Sequence, residues 1–317
     1  MKITVVDFYT VTREGDVKFK ELESLGEVSY YGVLTPEELK TAAKDCTALL
    51  INKAEITEDL LSACPKIKYI GTFSTGFNNV DLAACNRRNI TVCNVPEYST
   101  NAVSQHVFAL LLNYAGQIAN YQKSVADGDW IKSSQFCYMP WATQEIYGKT
   151  FGVIGYGNIG KATAKIAQAF GMNVLVYSRS NHSDCPYKKV SLDKIFELSD
   201  YLSLHCALNE DTKKIVNEKT LSLMKNSAVL INTARGGLVD EDALATMLNT
   251  NKIAAALLDT LAVEPMLANN PLYGAKNCFI TPHIAWAPSE TRQRVVDIAT
   301  QNLQAYLNGA TQNKISK

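Results

Sequence analysis

The chain has 317 residues, 47% hydrophobic and 20% charged, a length of about two ordinary domains and a composition that excludes a disordered, collagenous or coiled-coil protein. Lys plus Arg total 31 and Asp plus Glu total 31, so no net field draws it to nucleic acid or to an anionic membrane. No apolar run approaches the roughly 20 residues of a membrane span.

The first seven residues alternate like a buried strand and lack the basic start and cleavage site of a secretory leader. The 8 cysteines are scattered without a Cys-x-x-Cys pair. A cytoplasmic location with reduced thiols and no metal site is expected. Strands are predicted at 3–6, 28–31, 48–51, 69–72 and 91–93, with helical stretches between them, the pattern of a parallel sheet covered on both faces. Thr35-Pro36-Glu37-Glu38 supplies a helix cap, a first-turn proline and a capping-box glutamate, and Thr57 and Asp81 are further caps.

A single helical segment is predicted from 101 to about 125, apolar on more than one side and bridging two domains, with His106 packed inside it. Residues 127–147 are polar and aromatic without a period and contain Trp130 and Trp141; they are expected to form an arm packed on another surface, such as a second subunit's. Six more strands follow at 150–154, 174–177, 201–204, 229–232, 254–258 and 278–281, matching a doubly wound dinucleotide fold. The last helix, 289–307, is expected to be capped by Ser289.

Gly155-Tyr156-Gly157-Asn158-Ile159-Gly160 lies between a predicted strand and a predicted helix, the context in which a Gly-x-Gly-x-x-Gly run indicates pyrophosphate binding. Gly155 permits the tight turn, Gly157 admits backbone close to the anion, and Gly160 lets helix and strand pack. After the next strand Ser178 stands where an acidic residue would hold the ribose hydroxyls of NAD, and Arg179 and Ser180 could meet a 2′-phosphate. The balance leans to NADP(H) or dual use, with NAD(H) still open.

Arg235, Glu264 and His283 fall at or just beyond the C-terminal ends of successive strands, the edge where open α/β sheets bind ligands. Around them stand Asn-Thr-Ala-Arg-Gly-Gly at 232–237, Asp-Thr-Leu-Ala-Val-Glu-Pro at 259–265 and Thr-Pro-His-Ile-Ala at 281–285. Together with the glycine turn and Ser-Thr-Gly-Phe-Asn-Asn-Val-Asp at 74–81, these segments resemble the D-isomer-specific 2-hydroxyacid dehydrogenase family over almost the whole chain. Asn52-Lys53 and the arm's Gln135-Phe136-Cys137-Tyr138 are most similar to its glycerate dehydrogenase or hydroxypyruvate reductase branch.

The resemblance implies the α/β class with two doubly wound domains: a flavodoxin-like substrate domain, 1–98 plus 289–317, and a Rossmann-type cofactor domain, 99–288, with the active site in the cleft between them. It further implies that Arg235 binds the substrate carboxylate and that His283 exchanges a proton with the carbonyl oxygen. Glu264 would fix the tautomer of His283 and favour its protonated form. Asp259 would accept from the nicotinamide carboxamide. Lys53, Ser74, Thr75 and Gly76 would contact the substrate. Cofactor contacts are implied at Gly155, Gly157, Asn158, Ile159, Gly160, Ser178, Arg179 and Ser180, at Cys206, Ala207 and Thr212, and at Thr233, Ala234, Arg235, Asp259, His283 and Ala285. The expected activity is NAD(P)H-dependent reduction of a small 2-keto acid, hydroxypyruvate or glyoxylate first, by a homodimer. D-lactate or aryl and branched keto-acid reduction, and a dinucleotide-sensing corepressor-like role, are the alternatives.

Overall fold

The computed structural model describes residues 1–180 and 182–317. The chain forms two compact units, Met1–Ser99 with Ala287–Lys317, and Thr100–Trp286.

The first unit runs β1 (Lys2–Val5), the single-turn helices α1 (Phe8–Val11) and α2 (Lys20–Glu23), β2 (Glu27–Tyr30), α3 (Pro36–Ala43), β3 (Ala48–Ile51), α4 (Glu58–Ala63), β4 (Tyr69–Thr72), α5 (Leu82–Arg87) and β5 (Thr91–Cys93). The strands pair in parallel in the order β2-β1-β3-β4-β5, the flavodoxin-like winding. Short helices survive here because their first turns are capped. Thr35 and Glu38 form a reciprocal capping box on α3, and Thr57 and Asp81 cap α4 and α5. Leu39, Ala43, Leu60, Leu61 and Ala84 of these helices pack on Leu49, Ile51, Ile70 and Val92 of the sheet.

The second unit runs α6 (Thr100–Gly116), α7 (Ile118–Ala126), β6 (Thr150–Ile154), α8 (Asn158–Ala169), β7 (Asn173–Tyr177), β8 (Lys188–Lys189), α9 (Leu192–Leu198), β9 (Tyr201–Leu204), α10 (Glu218–Leu221), β10 (Val229–Asn232), α11 (Glu241–Asn249), β11 (Ala255–Leu258) and β12 (Cys278–Ile280). Its all-parallel sheet has the order β12-β11-β10-β9-β6-β7-β8, the Rossmann winding extended by β12. Both faces are covered, as a parallel sheet requires. Leu202, Leu230 and Leu258 meet Ile195, Phe196 and Leu244 on one face. On the other, Val153, Ile231 and Leu257 meet Val107, Phe108, Leu111 and Ala164.

The chain then returns to the first unit as α12 (Ser289–Leu307), where Arg292 pairs with Asp16 and the Asn302 amide donates to Asn94 O at 2.9 Å. Among the described residues no helix is long and apolar enough to cross a membrane.

Three local expectations are corrected. The segment from 101 to 125 is two helices, not one, because Gln117 takes the left-handed conformation and Asn113 Oδ1 accepts from Ala119 N, starting α7 anew. Ser289 is not a cap: Pro288 holds the cap position with extended backbone, and Ser289 is the first helical residue, its hydroxyl turned to Glu290. The second sheet has seven strands rather than six, the extra one being the two-residue β8 paired with Leu175 and Val176.

Candidate active site

The turn between β6 and α8 is shaped by close backbone approach. Gly155 has φ +97°, and a Cβ there would lie 2.5 Å from Cys206 N; a Cβ on Gly160 would lie 2.1 Å from Gly155 O. Above Gly157 a Cβ would meet nothing within 4 Å, and α8 begins there with no side chain capping its N-terminus. Unpaired N–H groups and the helix dipole therefore face open space, a setting that suits a pyrophosphate. Two buried hydroxyls beyond β10 and β11, Thr233 Oγ1 and Thr260 Oγ1, have no partner among the described residues and suit the polar groups of a bound dinucleotide. Thr260 had no signal in the sequence.

Ser178 directly follows β7, and Arg179 is ion-paired to Asp211, an interaction sequence reading did not foresee. Asp211 stands in a turn where Asn209 Oδ1 accepts from its backbone nitrogen and Thr212 Oγ1 donates to Ala207 O at 2.7 Å. Ahead of it, His205 bonds Ser203 Oγ at 2.9 Å, and burial pushes its imidazole down to about 3, so it is a neutral structural group.

Three loops at the same sheet edge carry the charged residues. After β10, buried Asn232 fixes its loop by accepting from Ala234 N at 3.0 Å and donating to Arg235 O at 2.9 Å. Arg235 is exposed and donates to Ala234 O, with no carboxylate within ion-pairing distance among the described residues. Gly236 lies against the next loop so closely that a Cβ would stand 1.8 Å from Leu261 C. In that next loop, Glu264 Oε1 accepts from Leu261 N at 2.9 Å, and Oε2 meets His283 Nδ1 at 2.6 Å. An ionised carboxylate only accepts, so Nδ1 is the donor and Nε2 is the nitrogen left to work.

His283 itself has φ +56°, uncommon for a residue with a side chain. Its segment is wrapped around the wholly buried carboxylate of Asp259. Oδ1 accepts from Thr281 Oγ1 at 2.5 Å and Ile284 N at 2.9 Å, and Oδ2 from Ala285 N at 2.8 Å. Burial raises the Asp259 carboxyl, but the bonds from His106, Thr281, Ala285 and Ile284 outweigh it and hold the group below the usual carboxylate range. His106 is therefore more than a packed helix residue: its Nε2 lies 2.9 Å from Thr281 Oγ1 and 3.4 Å from Asp259 Oδ1.

Lys53, Ser74, Thr75 and Gly76 belong to the first unit. The loop at 74–76 is pinned by Ser74 Oγ to Gly76 O at 2.6 Å and Thr75 Oγ1 to Val95 O at 2.8 Å. The backbone N–H groups of Thr75 and Gly76 have no acceptor among the described residues. The loop bearing Lys53 is organised by Asp7 Oδ2, which accepts from the backbone nitrogens of Asn52, Lys53 and Ala54 at 2.7–3.1 Å.

An uncapped glycine turn before α8 and an imidazole bonded to a carboxylate, on one edge of a Rossmann-wound sheet, are the arrangement of a dinucleotide-dependent oxidoreductase. Residues 108–285 match the family model for the D-isomer specific 2-hydroxyacid dehydrogenase, NAD binding domain. The hydroxypyruvate reductase of Blautia hydrogenotrophica is 39% identical with 100% of both chains covered, and the glycerate dehydrogenase of Methylorubrum extorquens is 40% identical over 90% of each. The D-lactate dehydrogenase of Aquifex aeolicus, solved with NAD and lactic acid, superposes with a TM-score of 0.84 at 28% identity over 99% of each chain. The chain belongs to the D-isomer-specific 2-hydroxyacid dehydrogenase family. It is an oxidoreductase of 2-keto and 2-hydroxy acids that works with a nicotinamide dinucleotide.

Because the Asp259 carboxyl is lowered in the folded state, its stabilisation is complete above its unfolded value of about 4 and is lost as pH falls through the folded one. Asp259→Asn should cost about 1–3 kcal/mol at pH 7, by urea unfolding, and the gap from the parent protein should narrow below about pH 4. A pH-independent gap would assign the loss to packing instead.

Proposed function

We propose that the protein reduces hydroxypyruvate to D-glycerate, and glyoxylate alongside it, with Arg235, Glu264 and His283 as its catalytic residues. The observation that carries the reading is the 2.6 Å bond between His283 Nδ1 and Glu264, which leaves Nε2 to exchange a proton with the substrate oxygen. When bound, the nicotinamide supplies or accepts the hydride at the adjoining carbon. Arg235, with no carboxylate paired to it among the described residues, offers a planar fork of donors to the acid's anionic end and draws charge from the neighbouring carbonyl.

The cofactor would be held by the Gly155–Gly160 turn, by Ser178, Arg179 and Ser180, by Cys206, Ala207 and Thr212, and by Thr233, Ala234 and Ala285, while the wholly buried Asp259 carboxylate would act by organising the loop around it. For Lys53, Ser74, Thr75 and Gly76, the substrate role rests on the resemblance and on the two unclaimed N–H groups of their loop. Small size of the preferred acid is supported by the hydroxypyruvate reductase and glycerate dehydrogenase relatives. His283→Ala should lower kcat by at least about 100-fold on hydroxypyruvate while the affinity for NADH, read by fluorescence titration, stays. Near-parental turnover would remove the acid role, and faster turnover of pyruvate or phenylpyruvate would move the enzyme to the D-lactate or aryl-acid alternatives.

NADPH use, alone or beside NADH, is part of the proposal. No carboxylate occupies position 178 to repel a 2′-phosphate, and Arg179 stands next to it. Its partner Asp211 is exposed, and an exposed ion pair is worth only about 0–1 kcal/mol, so the guanidinium can exchange that partner for a phosphate at small cost. Arg179→Ala should raise KM for NADPH about tenfold and leave KM for NADH within about threefold. An unchanged ratio of the two would leave NAD(H) as the working cofactor.

We further infer a cytoplasmic homodimer. All eight cysteines are free thiols, as a reducing compartment favours. The arm leaves Ile131 90% and Phe136 88% exposed, apolar surface that a second copy of the chain would cover. Ile131→Glu with Phe136→Glu should convert a dimer to monomers in sedimentation; a parent protein that sediments as a monomer would refute the assignment.

A further inference from the structure

The hydrogen atoms around Asp259 can be assigned by elimination. Its carboxylate can only accept, so the single proton of Thr281 points to Oδ1 across 2.5 Å. Thr281 Oγ1 then has only lone pairs to offer His106, so the 2.9 Å contact requires a proton on His106 Nε2. The bonds form a directed chain from His106 to Thr281 to Asp259, whose two oxygens also take Ile284 N and Ala285 N. His283 lies within the stretch so gripped.

The anchor is firm at its far end. His106 stands in α6, where its neighbours Val107 and Phe108, with Leu111 a turn on, pack into the core against Phe151 and Val153 of the sheet. What it steadies is strained: a non-glycine residue at φ +56° persists only where its surroundings hold it. A proton donor displaced by about 1 Å can lose about 100-fold in rate.

We propose that His106 is a positioning residue, holding the segment that carries His283 through its hydrogen bond to Thr281. This rests on the reading of His283 as the acid, and the two fail separately. If His283→Ala turns over normally, that reading falls; if His283→Ala is inactive and His106→Leu is unimpaired, only the present inference falls.

The test compares His106→Leu with His106→Gln, whose amide nitrogen can take the place of Nε2, and Thr281→Val with Thr281→Ser. In each, kcat, KM for hydroxypyruvate, NADH affinity and Tm are measured on the full chain. His106→Leu should lower kcat about 10- to 100-fold, with KM and NADH affinity within about threefold, and His106→Gln should recover most of that loss. Thr281→Val should reproduce the loss, Thr281→Ser should recover it, and the Leu/Val double variant should be no more than about threefold worse than the poorer single one. Equal kcat for His106→Leu and His106→Gln, or a fall in Tm with kcat unmoved, would overturn the proposal. Should His106→Leu fail to fold, the Thr281 pair decides the question by the same criteria.

Discussion

A carboxylate with no access to water governs this structure's reactive edge. Burying Asp259 disfavours its charge, and the cost is offset only if its oxygens are met by donors. Those donors come from one short stretch, Thr281 with Ile284 and Ala285, and His106 backs them through its bond to Thr281. The charge therefore can be satisfied only when that stretch folds around it, and doing so turns His283 out at a backbone angle it would not adopt alone. The stability of the buried charge and the placement of the imidazole are the same event.

Close approach then passes this order along the sheet edge. Gly236, with no room for a Cβ, seats the Arg235 loop on Leu261 and Ala262. Glu241 reaches over to accept from Ala262 N at 2.7 Å and from the Asn270 amide at 2.9 Å, pinning the loop that holds Glu264. Arg235, Glu264 and His283 thus share one rigid framework inside Thr100–Trp286, where a few tenths of an ångström can be held by backbone contact. Asp259 and Arg235 show two opposite settings of charge a few residues past neighbouring strands: one buried and met by donors, the other exposed with no carboxylate paired to it among the described residues.

Much of the fold was legible because parallel strands buried on both faces leave continuous apolar runs, as at Ala48–Ile51 and at 229–231, and because Thr35-Pro36-Glu37-Glu38 declares its own helix start. The strand Lys188–Lys189 was not, since two exposed lysines carry no apolar signal and exist as a strand only by pairing with Leu175 and Val176. The break at Gln117 was hidden by apolar residues on either side of it. At the site, glycines and charged residues just past strands stand out locally. The contact of His106 with Thr281 joins residues 175 apart in sequence, so nothing near either one announces it. Asp211 likewise becomes the partner of Arg179 only once a turn built by Asn209 and Thr212 brings it there.

The directed chain from His106 to Asp259 also explains why a threonine serves at position 281. A hydroxyl is the smallest side-chain group that can accept from an imidazole and donate to a carboxylate at once. Serine could do both, but the β-branched methyl of threonine restricts χ1 and keeps the hydroxyl aimed at both partners. An alanine or valine there would leave His106 Nε2 and Asp259 Oδ1 facing each other across 3.4 Å, too long for a strong bond. The loop would then lose one of its bonds to the charge, and the two that remain, at Ile284 and Ala285, both lie on the far side of His283. Bracketing from both sides is what distinguishes a held imidazole from one merely attached, and the hydroxyl supplies the near side.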